Sequence, residues 1–236
     1  MKIAILSDIH GNHYALEQVL IDAKKLNIEK ILILGDIVGY YYYPDRVLSL
    51  LINWDYDIIR GNHEILLEKV LNGDIKISNL TKKYGLGHKL ALDNLTKKQL
   101  EYLINSPDKK KLIFDGVKVL ICHGSNWDPN YYLYPNTEKE ILDRTGEVKT
   151  DFVFVGHSHH PFVHENKTNT LINVGSVGQS RKKGGVANWV ILDTSDKSFE
   201  IKETKYDTSP LISDIKKLDP KNEYLIKVLR RNNNEK

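Results

Sequence analysis

One cysteine in 236 residues, Cys122, leaves no partner for an intramolecular disulfide and agrees with a reducing compartment. It closes an apolar run just before His123, so it reads as a small buried hydrophobe rather than a nucleophile. Long hydrophobic runs are missing as well: no segment approaches the roughly 20 apolar residues that cross a bilayer. The opening run, Ile3 to Leu6, stops at Ser7 and Asp8, too short for the core of a signal peptide. The expectation is a soluble, cytoplasmic chain without a membrane partner. Nor does one sign of charge dominate. Against 31 Asp and Glu, 34 Lys and Arg give a net +3, too slight an excess to predict a stable nucleic-acid partner. Basic residues crowd only at Lys109-Lys110-Lys111, Arg181-Lys182-Lys183 and Arg230-Arg231, of which the first and third read as solvated loops or tails. With no repeat and no linker, a single domain over 1–236 is expected, long enough to bury a real core.

What is present is a rhythm of short β-branched runs. Ile3 to Leu6, Ile31 to Leu34 and Asp57 to Ile59 read as strands, with helices over Tyr14 to Leu26 and Arg46 to Ile52 between them. Such a succession implies parallel strands joined by right-handed crossovers. From Ile65 to about Asn105 the pattern is helical but broken by Gly73, Gly85 and Gly87, a small helical insertion. Short strands follow at Lys111 to Phe114, Val117 to Ile121, Phe152 to Val155, Pro161 to Val163, Thr170 to Asn173, Val186 to Leu192 and Phe199 to Thr204, and these predict a second, largely antiparallel sheet packed on the first. Residues 206 to 231 read as a terminal helix or two, and 232 to 236 as a frayed end.

Five polar clusters follow strand-like runs: Asp8-Ile9-His10, Gly35-Asp36, Gly61-Asn62-His63-Glu64, His123-Gly124 and Gly156-His157-Ser158-His159. Open α/β sheets carry their ligands at the carboxyl ends of strands, so these clusters are placed to converge on one edge. Asp, Asn and His are ligands for hard to borderline divalent ions. A carboxylate at Asp36 can bridge two cations roughly 3.5–4 Å apart, with Asn62 offering a neutral amide oxygen. Each residue alone would be an ordinary turn or cap; together they read as a two-metal hydrolase site.

In this order and spacing, the clusters over residues 1 to 205 resemble the calcineurin-like metallophosphoesterases. Asn173 to Gln179 is similar to the Gly-Ser segment of the bacterial and archaeal phosphodiesterase-like branch. The resemblance implies an α/β fold, a four-layer α/β/β/α sandwich of two mixed sheets with flanking helices. It implies Asp8, His10, Asp36 and His159 around one metal, and Asp36, Asn62, His123 and His157 around the other. Manganese heads the expected ions, with iron, zinc, cobalt and nickel also accommodated. The activity implied is phosphoester hydrolysis by a hydroxide activated between two cations, with His63, beside the ligand Asn62, as the acid that protonates the leaving oxygen.

For substrate binding the residues offer Asn62, Arg181 and Asn12. Asn12 is open to two roles, donor to a phosphate oxygen or N-cap of the helix that begins after it. The arginine and second aspartate carried by protein phosphatases after the Gly-Asp motif are absent from Asp36-Ile37-Val38-Gly39-Tyr40, which favours the smaller phosphodiesterase-like branch. Tyr40 to Tyr43 and Trp127, Tyr131, Tyr132 and Tyr134 could stack a nucleobase, or pack as a loop with wet hydroxyls. Arg181, Lys182 and Lys183 could attract a second phosphate. The expectation is a small phosphate-ester substrate, nucleotide-like, with a dinucleoside polyphosphate as one alternative and a non-catalytic scaffold of the same fold as another. A homo-oligomer remains open.

Overall fold

The computed structural model describes residues 1–231, and the frayed end expected at 232–236 lies outside the described residues. Strands β1 (Lys2–Leu6), β2 (Lys30–Ile33) and β3 (Tyr56–Ile58) run parallel, as the strand-helix rhythm predicts, with helices α1 (His13–Lys25) and α2 (Pro44–Leu51) as crossovers. The helical stretch resolves into α3 (Asn62–Leu71), α4 (Ile77–Tyr84), α5 (Gly87–Asn94) and α6 (Lys97–Ile104). Their buried Leu67, Ala91 and Leu103 join the same core as Leu16, Val19 and Val47, so this stretch belongs to the helical layer over the first sheet.

The second half differs from expectation in its pairing. Strands β4 (Lys109–Phe114), β5 (Val117–Cys122), β6 (Phe152–Val155), β7 (Phe162–Glu165) and β8 (Thr170–Asn173) form a sheet in the order β4-β5-β6-β8-β7. Its centre, β5-β6-β8, is parallel, and only the edge strands are antiparallel. Strands β9 (Val186–Asp193) and β10 (Ser198–Lys205) leave this sheet and extend the first, in the order β10-β9-β1-β2-β3. The reason is burial: every residue of β9 from Val186 to Leu192 is buried, which suits an interior strand with both faces covered. Lys109 to Lys111 are likewise no loop but part of β4, where lysines on an edge discourage pairing with another chain.

Alternation along the strands builds the layers. Ile3, Ile5, Leu32, Leu34, Val119, Ile121, Phe152 and Phe154 meet between the sheets, while Ala4, Leu6, Ile31 and Ile33 face the helices. The outer face of the second sheet carries Leu120, Val153 and Val155 under a thin layer made of α7 (Lys139–Asp143), a 3-10 turn and a long loop. This is the expected α/β/β/α sandwich of two mixed sheets. Helices α8 (Ser209–Leu218) and α9 (Glu223–Leu229) close over a separate cluster that includes Tyr41 and Tyr42. Among the described residues no helix is long and apolar enough to cross a membrane.

Candidate metal centre

Each sheet contributes the carboxyl ends of its parallel strands to one edge. Asp8 follows β1, Asp36 follows β2, Asn62 opens α3 after β3, His123 follows β5 and His157 follows β6. Backbone hydrogen bonds lace these loops together: Asp8 N–H to the Gly35 carbonyl (3.2 Å), His10 N–H to that of Asp36 (2.8 Å), and Gly156 N–H to that of His123 (2.8 Å). The Asn173–Gln179 segment lies alongside, with Val177 and Gly178 donating to the Ser7 and Asp8 carbonyls at 3.0 Å and Ser176 Oγ donating to Asp8 O at 2.8 Å. Among the described residues nine non-glycine residues have positive φ, and five of them are Asp8, His10, Asp36, His157 and His159, so left-handed strain is concentrated where the site is built.

Both aspartates use one oxygen for support and aim the other inward. Asp8 Oδ2 accepts from His157 N–H (2.9 Å) and Asp36 Oδ1 from His63 N–H (2.9 Å). Asp8 Oδ1 then stands 3.1 Å from His159 Nε2, and Asp36 Oδ2 stands 3.3 Å from His123 Nε2 and 3.8 Å from His10 Nε2. Burial alone would push Asp8 up, but His159 and His123 hold its carboxyl well below the usual range; His123 and His63 do the same for the buried Asp36.

The histidines reveal their tautomers through their outer partners. His10 Nδ1, His123 Nδ1 and His159 Nδ1 lie 2.9, 2.7 and 2.8 Å from the carbonyls of Val38, Leu34 and Gln179, which only an N–H can satisfy. In the neutral rings the Nε2 atoms therefore carry lone pairs. Yet His10 Nε2 and His159 Nε2 are 3.2 Å apart, and His123 Nε2 sits 3.1 Å from His157 Nδ1 and 2.9 Å from the Asn62 amide oxygen. Lone pairs facing one another at such distances repel unless a cation or a shared proton lies among them. Asp8 Oδ1, moreover, is buried with no hydrogen-bond partner. Among the described residues three groups of donors each gather within 4.8 Å: Asp8, His10 and His159; Asp36, His123 and His157; and His10, Asp36 and His63. The donor set, oxygen and imidazole with outer N–H to carbonyl supports, fits divalent cations.

Burial is opposed at His123 by the Asp36 charge, which lifts its pKa to about 10, so without a cation this ring takes a proton. His10 and His157, buried, are pushed down to about 4.

His63 lines the site cavity, about 120 Å³ in volume, with Asn62, Tyr40, Tyr84, Tyr132 and Arg181. Its Nδ1 meets Nε2 of the buried His88 at 3.0 Å with the rings stacked at 13°, leaving Nε2 on the Asp36 side at 3.9 Å. Sequence reasoning passed over His88. Its only sequence trace is helical spacing with Ala91 and Leu95, which share its buried face. Glu64 was also given no role: its Oε2 accepts from Gly61 and Asp36 N–H (both 2.8 Å) and its Oε1 from Ile37 and Val38 N–H (2.8 and 3.2 Å), joining two ligand loops. A glycine N-cap with glutamate three residues on was the available signal.

Several expected binders are placed otherwise. Of its two expected roles Asn12 takes the N-cap: Oδ1 caps α1 through Ala15 N–H (3.1 Å), and Nδ2 donates to Gly178 O (2.9 Å) and Tyr206 Oη (3.1 Å). Tyr41 and Tyr42 are buried beneath α8 and α9 rather than at the mouth, and their hydroxyls are dry. Trp127 and Tyr131 pack against the second sheet, whereas Tyr132 stacks on His157 at 3.8 Å between centroids. Lys182 pairs with Glu203 (3.5 Å) and turns from the site, while Arg181 lines the cavity with its Nε buried and unpartnered. Cys122 is buried as expected, its thiol pushed up to about 12 by burial.

A family model of the calcineurin-like phosphoesterase superfamily domain matches residues 1–197. MJ0912 of Methanocaldococcus jannaschii, itself called uncharacterized, is 33% identical over 225 residues, covering 87% of this chain and 88% of its own. Among solved structures, the metallophosphoesterase from Sphaerobacter thermophilus superposes with a TM-score of 0.77 at 26% identity, covering 97% of this chain and 98% of that one. PH1004 of Pyrococcus horikoshii OT3, called hypothetical, superposes at 0.84 with 23% identity over 98% of both chains.

Proposed function

Because the chain belongs to the calcineurin-like phosphoesterase superfamily, we propose that it is a phosphodiesterase of the dinuclear kind, acting on small nucleotide-like esters. The observation that carries the reading is the convergence of imidazole lone pairs and carboxylate oxygens into groups beside one cavity, which Asp36, His157 and His159 line. On this reading Asp8, His10, Asp36 and His159 would hold one divalent ion, and Asp36, Asn62, His123 and His157 the other. When bound, the ions supply Lewis-acid activation of water and neutralise phosphate charge.

The chain's own residues do the rest. Arg181 lines the cavity, its Nε without a partner among the described residues, and so can donate to a phosphate oxygen, the service an arginine after the Gly-Asp motif gives elsewhere. The His63 Nδ1 contact with His88 Nε2 orients the ring with Nε2 on the Asp36 side, and burial pushes the imidazole well below its ordinary pKa, so a proton held on Nε2 is readily given to the leaving oxygen. Every residue the chemistry needs is retained, which supports an enzyme over a scaffold of the same fold.

The test is hydrolysis of bis-p-nitrophenyl phosphate and p-nitrophenyl phosphate by metal-stripped protein resupplied with manganese. Manganese-dependent turnover favouring the diester is expected. Preference for the monoester moves the protein to a phosphatase role, and failure to bind any divalent ion returns it to the scaffold class.

A further inference from the structure

Beside the metal centre a second cavity, about 260 Å³ in volume, shares two walls with it, Tyr40 and Tyr84. The same two rings pack on His63, with centroids 5.0 and 4.9 Å from its own. His63 therefore stands against the two rings that both cavities share. The remaining wall comes from the last turn of α4 with Gly85 and from the α8–α9 turn with the start of α9, tied together by the Leu86 N–H bond to Asp219 Oδ2 (3.2 Å). These two segments carry Lys82, Lys83 and Lys221, which have no carboxylate partner among the described residues. Asp219, the acid on this wall, already accepts from Leu86 N–H and from Asn222 Nδ2 at 3.2 Å. Cations and rings alternate outward: Lys83 Nζ lies 4.8 Å from the Tyr84 centroid, and the Arg181 guanidinium 5.9 Å from that of Tyr224.

From this juxtaposition we propose that the cavity is the leaving-group subsite and takes a nucleotide, its base against Tyr84 and Tyr224 and a second phosphate among Lys82, Lys83 and Lys221. The inference rests on the phosphoester-hydrolase reading and narrows the substrate to a nucleotidyl ester or anhydride whose departing half is itself phosphorylated. Water forms the new bond to phosphorus and releases a proton to solvent. The bond from phosphorus to the departing oxygen breaks, its electron pair stays on that oxygen, and His63 Nε2 supplies the proton there.

Calorimetric titration of thymidine 3′,5′-bisphosphate into the metal-free protein reads the subsite without the reaction. Removing all three exposed lysines together (Lys82→Ala, Lys83→Ala, Lys221→Ala) is expected to weaken binding about tenfold, the product of three modest surface charge contacts. Added salt should weaken the wild type and spare the triple variant. Tyr224→Ala should weaken the bisphosphate while leaving abasic deoxyribose bisphosphate unchanged. Bisphosphate binding that the triple substitution leaves intact overturns the subsite. Wild-type turnover of bis-p-nitrophenyl phosphate with manganese is read in parallel. Turnover without bisphosphate binding overturns the subsite alone, and binding without turnover overturns the hydrolase reading and the leaving-group role with it, leaving only a nucleotide-binding cavity.

Discussion

His63 has its two ring nitrogens in different surroundings, Nδ1 against His88 and Nε2 on the Asp36 side, and this asymmetry decides which proton it can give. His63→Ala is expected to slow esters of poor leaving groups by about 10²–10⁴-fold, the usual worth of general acid catalysis, and p-nitrophenyl esters far less. Equal losses on both would remove the assigned role. His88→Ala should reproduce part of that pattern by freeing the ring, and His88→Asn, which retains an acceptor, should restore it; a plot of rate against leaving-group pKa separates the two. Asp36→Asn is expected to lose bound manganese and activity together, measured by elemental analysis of the dialysed protein, because an amide cannot share two anionic contacts between cations. The ligand types were legible at this scale, since Asp, Asn and His directly after apolar runs have few structural reasons to recur. His88 was not legible: a lone histidine on a helix face looks like any satisfied core residue until its partner is known.

Elements place these side chains by holding loops in conformations that ordinary residues resist. Gly178 shows the constraint. A methyl group there would overlap the Ile9 carbonyl, in the middle of the Asp8-Ile9-His10 loop that the Asn173–Gln179 segment supports. Gly178→Ala is therefore expected to cost about 1–3 kcal/mol of stability through overpacking and to weaken metal binding as well, read by urea unfolding and metal titration of the same variant. Gly39, at φ +89°, performs a similar service on the other side, where a side chain would strike the His63 ring. Helix and strand positions followed from periodicity over most of the chain. Strand partners did not, because β9 and β10 alternate no differently from strands of the second sheet. Their place beside β1 is a matter of long-range pairing such as Ile3 with Leu192 and Ala4 with Ile191.

At the scale of the whole molecule, cation binding and folding are linked because the donors come from both sheets and gather only in the native state. One ion at a free concentration a hundredfold above its Kd adds about 2.7 kcal/mol. For a chain of this size that raises Tm by about 5–10 °C over the chelated protein, checked by calorimetry with manganese or with a chelator. Chelated protein should also show acid sensitivity. His10, His88 and His157 are buried and titrate near 4 in the folded state against 6.5 when free, so the unfolded chain binds more protons between those values. Stability is accordingly lost as pH falls from 6.5 toward about 4, visible as a falling urea midpoint. His123 acts in the opposite sense: with its pKa lifted to about 10, the stabilisation it contributes in full below 6.5 fades as pH rises from there through about 10.

By itself the sequence determined the chemistry available and where each piece of it falls along the chain, because strand runs and the polar residues that end them are local patterns. It determined the parallel opening unit and the family as well. Only the tertiary structure decided which residues meet. It sent Tyr41 and Tyr42 into a core beneath the C-terminal helices and Tyr40 to the site, though the three are neighbours in one loop. It spent the Asn12 amide on Gly178 and Tyr206, 166 and 194 residues away, and brought His88 onto His63 from another helix. These outcomes depend on the closing of two sheets over a shared core, a property of long-range packing that no window of the sequence contains.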